Sequence, residues 1–435
     1  MSTDLNDFLH WLCAQNLHSS PAVERKARWL LMDTLGCVIA GRLAPPVHSF
    51  ESLLGRSDAG PFQFLGGPGL SNSGAAWMLA MAACWDEACE GHAGAHGRPG
   101  VATFAALLSL SPNLTLGRFL RAFVIGYEVS ARTGAKLRIK PGMHVDGNWP
   151  ALGAAAAVAH ALGLDAAGVA QAVYIAACQL PMSLYLPIRS GDTARNTYLG
   201  HAAALGQSAA FSAASGICAP KLSVDEYARV GLGWQESVKF DLAHQFHILD
   251  AYLKPYAAVR HVHYGALAAW QMKSELDLEQ ITAISLQIYE EATIYCSNRA
   301  PQTPLQAQFS LSFGVAAMLR WGCLDPLIYR EPQFHDPLMR RLEKLVDVSL
   351  DQGLTQTQTR GATLTITTTN ANTVQRQVTA VYGDASMPFT QEALTEKFST
   401  YCATTLSQSQ ATSMANRILT LPETESFNKI WPTLA

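Results

Sequence analysis

Charged residues are scarce in this chain of 435 residues: they make up 15% of it, whereas hydrophobic residues make up 49%. Globular domains usually have about a quarter of their residues charged, so this composition excludes a disordered chain and predicts a large core. Lysine and arginine total 31 against 34 acidic residues, and no basic stripe stands out, so we expect no nucleic-acid partner. A chain with so little charge often buries apolar faces between subunits, and we therefore expect a homodimer.

Long hydrophobic runs and targeting signals are also missing. The longest apolar run, Ala75 to Trp85, has eleven residues, which is short of the ~20 needed to span a bilayer. The first fifteen residues carry acidic side chains early and no apolar core, so we expect no signal peptide, no membrane partner and a cytoplasmic location. Nine cysteines without a CxxC pair are typical of reduced thiols rather than of disulfides or structural zinc.

Several cofactor and catalytic motifs do not occur in the sequence. It contains no GxGxxG after a strand, no GxxxxGK[ST], no GxSxG and no HExxH. These absences remove the usual evidence for dinucleotide, nucleoside triphosphate, esterase and zinc-peptidase sites. The sequence therefore predicts no cofactor and no metal.

Helical periodicity dominates the first part of the chain, residues 1–255. Segment 21–40 repeats apolar residues at intervals of three and four, as an amphipathic helix does. Residues 150–163 and 201–216 are rich in alanine. Because small side chains let two helix backbones approach closely, we predict that these two helices are central and buried.

The pattern changes after about residue 256. Residues 281–290, 362–369 and 374–382 alternate or are β-branched, and the last two are joined by a hairpin signal at 370–372. Helical spacing returns at 389. Because helices and strands are segregated, we predict an α+β fold with two domains. The large all-helical domain comprises residues 1–255 plus 389–435, and the inserted smaller α+β domain, with an antiparallel sheet, comprises 256–388.

Ionisable residues are concentrated in four segments: 84–100, 142–149, 191–200 and 254–263. The second and third come directly before an Ala-rich helix, whose N-terminal dipole favours anions. Each segment alone is also compatible with an ordinary loop or hinge, and His92 with His96 is a weak candidate pair of metal ligands. Together the four offer carboxylates, imidazoles and cations for proton chemistry on a small polyacid. Elimination of water, epimerisation and decarboxylation all fit this set.

The same residues belong to longer motifs, at 27–41 (ARWLLMDTLGCVIAG), 86–100, 126–132 (GYEVSAR), 142–165, 254–263 (KPYAAVRHVH), 301–319 and 383–398. In these motifs the chain resembles the MmgE/PrpD family, which includes 2-methylcitrate dehydratase, cis-aconitate decarboxylase and iminodisuccinate epimerase. The resemblance implies an all-helical domain built from both chain ends, an inserted α+β domain and a homodimer. It also implies an active site in a cleft between the domains, without a metal or an organic cofactor.

The resemblance also implies roles for single residues. The family's acidic motif falls on Asp86, with Glu87 beside it, and its histidine before the Ala-rich helix matches His144. The lysine and the last histidine of the KPY motif match Lys254 and His263.

Three positions depart from the family pattern. Arg98 stands where the family usually has a histidine, and His96 lies two residues earlier. Arg195 replaces a lysine, and Val259 stands where the decarboxylase branch often carries another histidine. Because arginine stays charged, Arg98 can bind a carboxylate but cannot move a proton near neutral pH.

These observations predict a dehydratase-type lyase that abstracts a proton from a small hydroxy-polycarboxylate, a di- or tricarboxylate, without a cofactor. The predicted catalytic residues are His144 as base, Asp86 or His263 as partner acid, and Lys254. The predicted substrate-binding residues are Arg98, Arg195, Arg260, His96, Tyr256 and Glu87. The alternatives are an epimerase of an aspartate-derived polyacid, a cis-aconitate-type decarboxylase, and a non-catalytic polyacid-binding protein on the same fold.

Overall fold

The computed structural model describes residues 2–15, 20–242, 245–384 and 386–431 of the chain. Most of these residues are helical and strands are short, so the predicted α+β fold is confirmed. The α-helices are α1 (Leu5–Ala14), α2 (Pro21–Gly41), α3 (Pro45–Ser57), α4 (Asn72–Trp85), α5 (Pro99–Leu108), α6 (Leu116–Lys136), α7 (Pro150–Ala161), α8 (Ala166–Ala177), α9 (Leu186–Ser190), α10 (Tyr198–Ala214), α11 (Ser223–Tyr227), α12 (Val262–Met272), α13 (Glu290–Tyr295), α14 (Pro304–Gln308), α15 (Leu311–Trp321), α16 (Pro337–Leu345), α17 (Gln352–Gln356), α18 (Gln391–Cys402) and α19 (Gln408–Thr420).

The helices begin where the sequence supplies a capping residue or a proline. Ser71 precedes α4, and its hydroxyl accepts a hydrogen bond from the Gly74 N–H at 3.0 Å. Thr115 caps α6 in the same way. Pro21 and Pro150 occupy the first positions of α2 and α7, where the missing N–H costs nothing.

The strands are β1 (Ser2–Thr3), β2 (Phe62–Gln63), β3 (Gly69–Leu70), β4 (Phe240–Asp241), β5 (Ile281–Ile288), β6 (Val346–Leu350), β7 (Ala362–Thr368) and β8 (Thr373–Val378). The last four form one sheet in the order β6-β5-β7-β8, and the pairs β5–β7 and β7–β8 are antiparallel, as predicted. The sequence analysis missed β6, which pairs with β5 in parallel. A parallel pair needs a crossover, and here the chain between β5 and β6 runs through α13 to α16.

The Ala-rich helix α7 lies at the centre of the helical region, in contact with α5, α6, α8 and α10. Its close approach to α6 depends on glycine in both helices. A Cβ on Gly153 would lie 2.3 Å from the Gly126 carbonyl oxygen, and a Cβ on Gly126 would lie 2.5 Å from the Gly153 carbonyl oxygen. The small residues therefore make the buried packing that the sequence predicts.

The last two helices return to the first part of the chain. Both α18 and α19 pack against α2, and the Lys397 ammonium of α18 lies 2.5 Å from the buried Asp33 carboxylate of α2. This packing agrees with a helical domain built from both chain ends. The domain boundaries at 255 and 389 stay predictions.

The sequence predicts reduced cysteines and no membrane-spanning helix. All nine cysteines carry free thiols. Within the described ranges, no single helix is both long enough and apolar enough to cross a bilayer.

Candidate active site

A cavity of about 520 Å³ collects residues from four segments that precede helices. Arg98 comes directly before α5, Arg260 lies two residues before α12, Arg195 three residues before α10 and His144 six residues before α7. Residues next to helix N-termini lie where the helix dipole favours negative charge. The volume is within the range of pockets that hold small molecules.

Positive charge is in excess in the cavity lining. Among the described residues, six cationic side chains and three carboxylates line the cavity, which leaves an excess of three positive charges. The cations are Arg98, Arg138, Arg195, Lys254, Arg260 and Arg360, and the carboxylates are Glu87, Asp146 and Glu291. Such an excess favours a ligand that carries several negative charges.

Glu87 is the centre of a buried ionic cluster. Its backbone is left-handed (φ 54°) at the turn after α4. Its carboxylate lies 3.1 Å from Arg98 Nη1 and 2.8 Å from Lys254 Nζ, and it also accepts a hydrogen bond from Arg195. Burial alone would raise the pKa of the Glu87 carboxyl, but the three cations together hold this pKa well below its usual value.

Asp146 is the second carboxylate of the cluster. It pairs with Arg98 and lies 3.7 Å from Arg195 Nη2. Burial would raise its pKa, but the neighbouring cations, Arg98 above all, lower it. Because three cations share two carboxylates, the cluster keeps one net positive charge at the cavity wall.

His144 is neutral and its proton position is defined by a hydrogen bond. The Asp146 backbone N–H donates to His144 Nδ1 at 3.2 Å, so the neutral ring carries its proton on Nε2. Burial, only partly offset by Asp146, lowers the pKa of His144 to about 4. At neutral pH the ring is therefore a hydrogen-bond donor through Nε2.

An aromatic wall connects His144 to a second histidine. The ring centroids of His144 and Tyr185 are 6.0 Å apart, those of Tyr185 and Tyr295 are 5.5 Å apart, and those of Tyr295 and His261 are 5.9 Å apart. All four residues line the cavity. The wall supplies apolar surface beside the charged cluster.

Four buried donors at the cavity have no hydrogen-bond partner among the described residues: His92 Nε2, Tyr185 Oη, Arg195 Nε and Arg260 Nε. Buried polar groups are normally paired, and leaving one unpaired is costly. A ligand rich in oxygen acceptors would satisfy them.

The outer cations differ in how they are paired. Arg260 is paired with Asp384 and donates to the carbonyl oxygens of Val381 and Tyr382. Arg360 lies 3.0 Å from Glu291. Arg138 is exposed and has no ion-pair partner among the described residues. Arg138 is therefore the cation most available to a ligand.

The structure brings seven of the ten predicted site residues together at this cavity: Glu87, His96, Arg98, His144, Arg195, Lys254 and Arg260. It places the other three, Asp86, His263 and Tyr256, outside the cavity lining. Their predicted roles do not fit this arrangement.

Asp86, His263 and Tyr256, which do not line the cavity, each have a different environment. Asp86 is buried near Arg330, 4.0 Å away, and burial raises its pKa to about 6. Both ring nitrogens of His263 are used, because Arg260 donates to Nδ1 and Nε2 donates to the Ala258 carbonyl oxygen. The ring of Tyr256 packs on His263, with centroids 5.2 Å apart.

Sequence reasoning missed several lining residues: Arg138, Asp146, Tyr185, Tyr252, His261, Glu291, Tyr295 and Arg360. Asp146 lies in a segment that the sequence analysis did single out, two residues after His144. His261 lies in the KPY motif beside the predicted His263. Residues such as Glu291 and Arg360 come from the sheet region, and no local pattern marks them.

Glu90 is fully buried and does not line the cavity. Its carboxylate accepts a hydrogen bond from the Gly100 N–H at 2.7 Å, and burial raises its pKa to about 8. The folded protein therefore holds this proton more tightly than the unfolded chain, and stability is lost as pH rises towards 8. We expect Glu90→Gln to remove that loss. Urea unfolding between pH ~4.3, the ordinary pKa of an unfolded glutamate, and pH 8 checks this: an equally steep decline across that window in both proteins would refute it.

The fold and the cavity define an α+β protein, helical for the most part, with an excess of positive charge among the described residues around a cavity of about 520 Å³. Two family models match the chain: the MmgE/PrpD N-terminal domain over residues 3–234 and the MmgE/PrpD C-terminal domain over residues 256–421. The chain therefore belongs to the MmgE/PrpD family. This family includes dehydratases such as 2-methylcitrate dehydratase, which supports an enzyme of the dehydratase or lyase type. No match to the chain was found among curated proteins.

Proposed function

We propose that this protein is a dehydratase-type lyase that removes water from a small hydroxy-polycarboxylate after abstraction of a proton next to a carboxylate. The observation that carries the proposal is the excess of positive charge among the described residues around a cavity of about 520 Å³, which remains when Arg260 is counted as neutralised by Asp384. A di- or tricarboxylate fits that charge and that volume. Every group that the proposed reaction needs is a side chain of this protein.

The ionic cluster supports proton abstraction in particular. Removing a proton beside a carboxylate creates an enolate-like transition state with additional negative charge, and preorganised positive groups stabilise it. Arg98, Arg195 and Lys254 are held in place by Glu87 and Asp146, so little reorganisation is needed when charge develops.

We propose that His144 donates from Nε2 to an oxygen of the substrate. The hydrogen bond from the Asp146 N–H to Nδ1 supports this donor role rather than the role of base that the sequence analysis assigns to His144. Tyr185 Oη, without a protein partner among the described residues, is a second donor for the same oxygen-rich ligand.

Incubation with a panel of citrate-like hydroxy-acids and aspartate-derived acids in D₂O, followed by NMR, tests the reaction type. Formation of an unsaturated acid and water supports the proposal. Exchange of the proton with inversion and without elimination would instead indicate an epimerase, and release of CO₂ a decarboxylase. Tight binding of one acid without any reaction would indicate a non-catalytic binding protein.

Arg138 is proposed to bind the substrate carboxylate farthest from the cluster. Arg138→Ala should raise KM about two- to fivefold with kcat unchanged, because an exposed ion pair is worth roughly 0.2–1 kcal/mol. Lys140→Ala is the matched control, since Lys140 is a neighbouring exposed cation that does not line the cavity. Equal KM values for Arg138→Ala and the wild type would exclude this contact.

The homodimer and the cytoplasmic location expected from the sequence stay predictions. Sedimentation measurements on the full chain test the first.

A further inference from the structure

Among the described residues, four histidines line the cavity: His92, His96, His144 and His261. A neutral imidazole has one nitrogen that donates and one that accepts, so a protein partner at one nitrogen defines what the other can do. The partners of these four rings therefore show which of them is free to accept a proton.

Two of the rings accept hydrogen bonds from backbone N–H groups at Nδ1. The Ala95 N–H donates to His92 at 3.1 Å, and the Asp146 N–H donates to His144 at 3.2 Å. A backbone N–H can only donate, so each neutral ring carries its proton on Nε2. Taking up a second proton at Nδ1 would break these bonds.

The third ring, His261, is fixed by a phenol. Tyr289 Oη lies 2.6 Å from His261 Nδ1, its one hydrogen-bond partner among the described residues. Burial raises the pKa of Tyr289 well above its usual value, so the phenol keeps its proton. Tyr289 Oη has no other hydrogen-bond partner among the described residues, so this proton is donated to Nδ1. His261 therefore also carries its proton on Nε2 and is a donor towards the cavity.

His96 differs from the other three. Neither ring nitrogen has a hydrogen-bond partner among the described residues, and the ring is exposed to solvent, so either tautomer is accessible. The charged groups around it are Arg138, Glu291 and Arg360. Partial desolvation at the cavity mouth and the charge of Arg138 lower the pKa of His96, so the ring is neutral near pH 7 and has a free lone pair.

Two backbone hydrogen bonds close the loop that carries His96. His92 N–H donates to the Gly97 carbonyl oxygen at 2.9 Å, and His96 N–H donates to the Ala93 carbonyl oxygen at 3.2 Å. The His96 backbone is left-handed, with φ 54°. Such a conformation is uncommon outside glycine, and residues held in it are frequent at functional sites.

We infer that His96 is the general base of the proposed reaction, whereas His92, His144 and His261 act as hydrogen-bond donors. The bond between hydrogen and the carbon next to a carboxylate breaks, the proton binds to a ring nitrogen of His96, and the electron pair remains on the carbon as an enolate. That electron pair then forms a carbon–carbon double bond as the bond between the β-carbon and its hydroxyl oxygen breaks. The imidazolium returns the proton to the departing hydroxyl, which leaves as water. This assignment rests on the proposed function.

The test compares the wild type with His96→Gln, whose amide cannot accept the proton, and with His96→Ala. The panel acid that the wild type converts is the substrate. We expect kcat of His96→Gln to fall about 10²–10⁴-fold, whereas its Kd for tricarballylate, an unreactive tricarboxylate, stays within a few fold. Because the site is exposed, added imidazole should restore turnover to His96→Ala. His48→Gln, an exposed histidine outside this cavity, is the control.

The possible failures are distinguishable. If the wild type converts an acid and His96→Gln converts it within threefold of the wild-type rate, His96 is not the base and the proposed function stands. If the wild type neither exchanges a proton nor forms product with any acid of the panel, the proposed function fails and the assignment of His96 fails with it.

Discussion

Glu87→Gln is expected to lower the free energy of unfolding by about 3–5 kcal/mol, because it leaves buried cations without their partner. The Glu87 carboxylate contacts Arg98, Arg195 and Lys254, and all four side chains are at most 6% exposed. Glutamine has nearly the same shape, so the loss would come from the charge. Urea unfolding at neutral pH measures it.

The same carboxylate predicts a dependence on pH. Its pKa in the folded protein is held below the value of ~4.3 in an unfolded chain. Its contribution is therefore fully present above pH ~4.3 and is lost as pH falls through the folded pKa. The stability difference between the wild type and Glu87→Gln should shrink as the solution is acidified.

Glu275→Gln is the matched control, because Glu275 pairs with Arg376 at the surface, where both side chains are more than one-third exposed. An exposed pair contributes little, so this variant should unfold close to the wild-type urea midpoint. If Glu87→Gln also unfolds at the wild-type midpoint, the cluster does not depend on the Glu87 charge.

His144→Ala is expected to reduce kcat about 10²–10³-fold, the usual cost of removing one donor to a developing oxyanion. The protein should remain folded, since the variant leaves one backbone N–H, that of Asp146, without its partner. Steady-state kinetics on the converted acid measure kcat, and circular dichroism checks folding.

His144→Asn separates the donor role from the role of base. The asparagine side chain can accept the Asp146 N–H through its oxygen and donate through its nitrogen. A donor role predicts that His144→Asn keeps more activity than His144→Ala. Equal loss in both variants would favour the role of base, and wild-type turnover in both would remove His144 from the mechanism.

The helical part of the fold could be predicted because its signals are local. Segment 21–40 has the spacing of a helix and forms α2, and the Ala-rich segments form α7 and α10. The hairpin signal at 370–372 joins β7 and β8, and Ala371 is left-handed there. Strand β6 could not be predicted from the sequence, because its parallel pairing with β5 depends on a distant segment.

The candidate site could be predicted in part for the same reason. His144 and Arg195 are visible in sequence because they precede helices of small residues, and Arg98 because it lies among other ionisable residues in segment 84–100. The sequence does not show which of two neighbouring histidines lines the cavity. Residues two apart at a helix start face different directions, so His261 lines the cavity whereas His263 is bonded inside the fold.

At the turn after α4, the sequence likewise does not show which of two adjacent carboxylates, Asp86 or Glu87, lines the cavity. The two are adjacent in sequence, but Glu87 has a left-handed backbone and lines the cavity, whereas Asp86 is buried near Arg330. The composition of the segment does not reveal which of the two carboxylates meets the distant Lys254. That choice depends on tertiary packing.

Calorimetric titration of the wild-type protein with tricarballylate measures whether the cavity binds a polycarboxylate, because this tricarboxylate has no hydroxyl to lose. We expect one molecule bound per chain and clearly weaker binding at about 1 M salt, where the screening length is only ~3 Å. Arg138→Ala should weaken the binding further at low salt. Absence of binding, or binding that is unchanged by salt, would contradict the account.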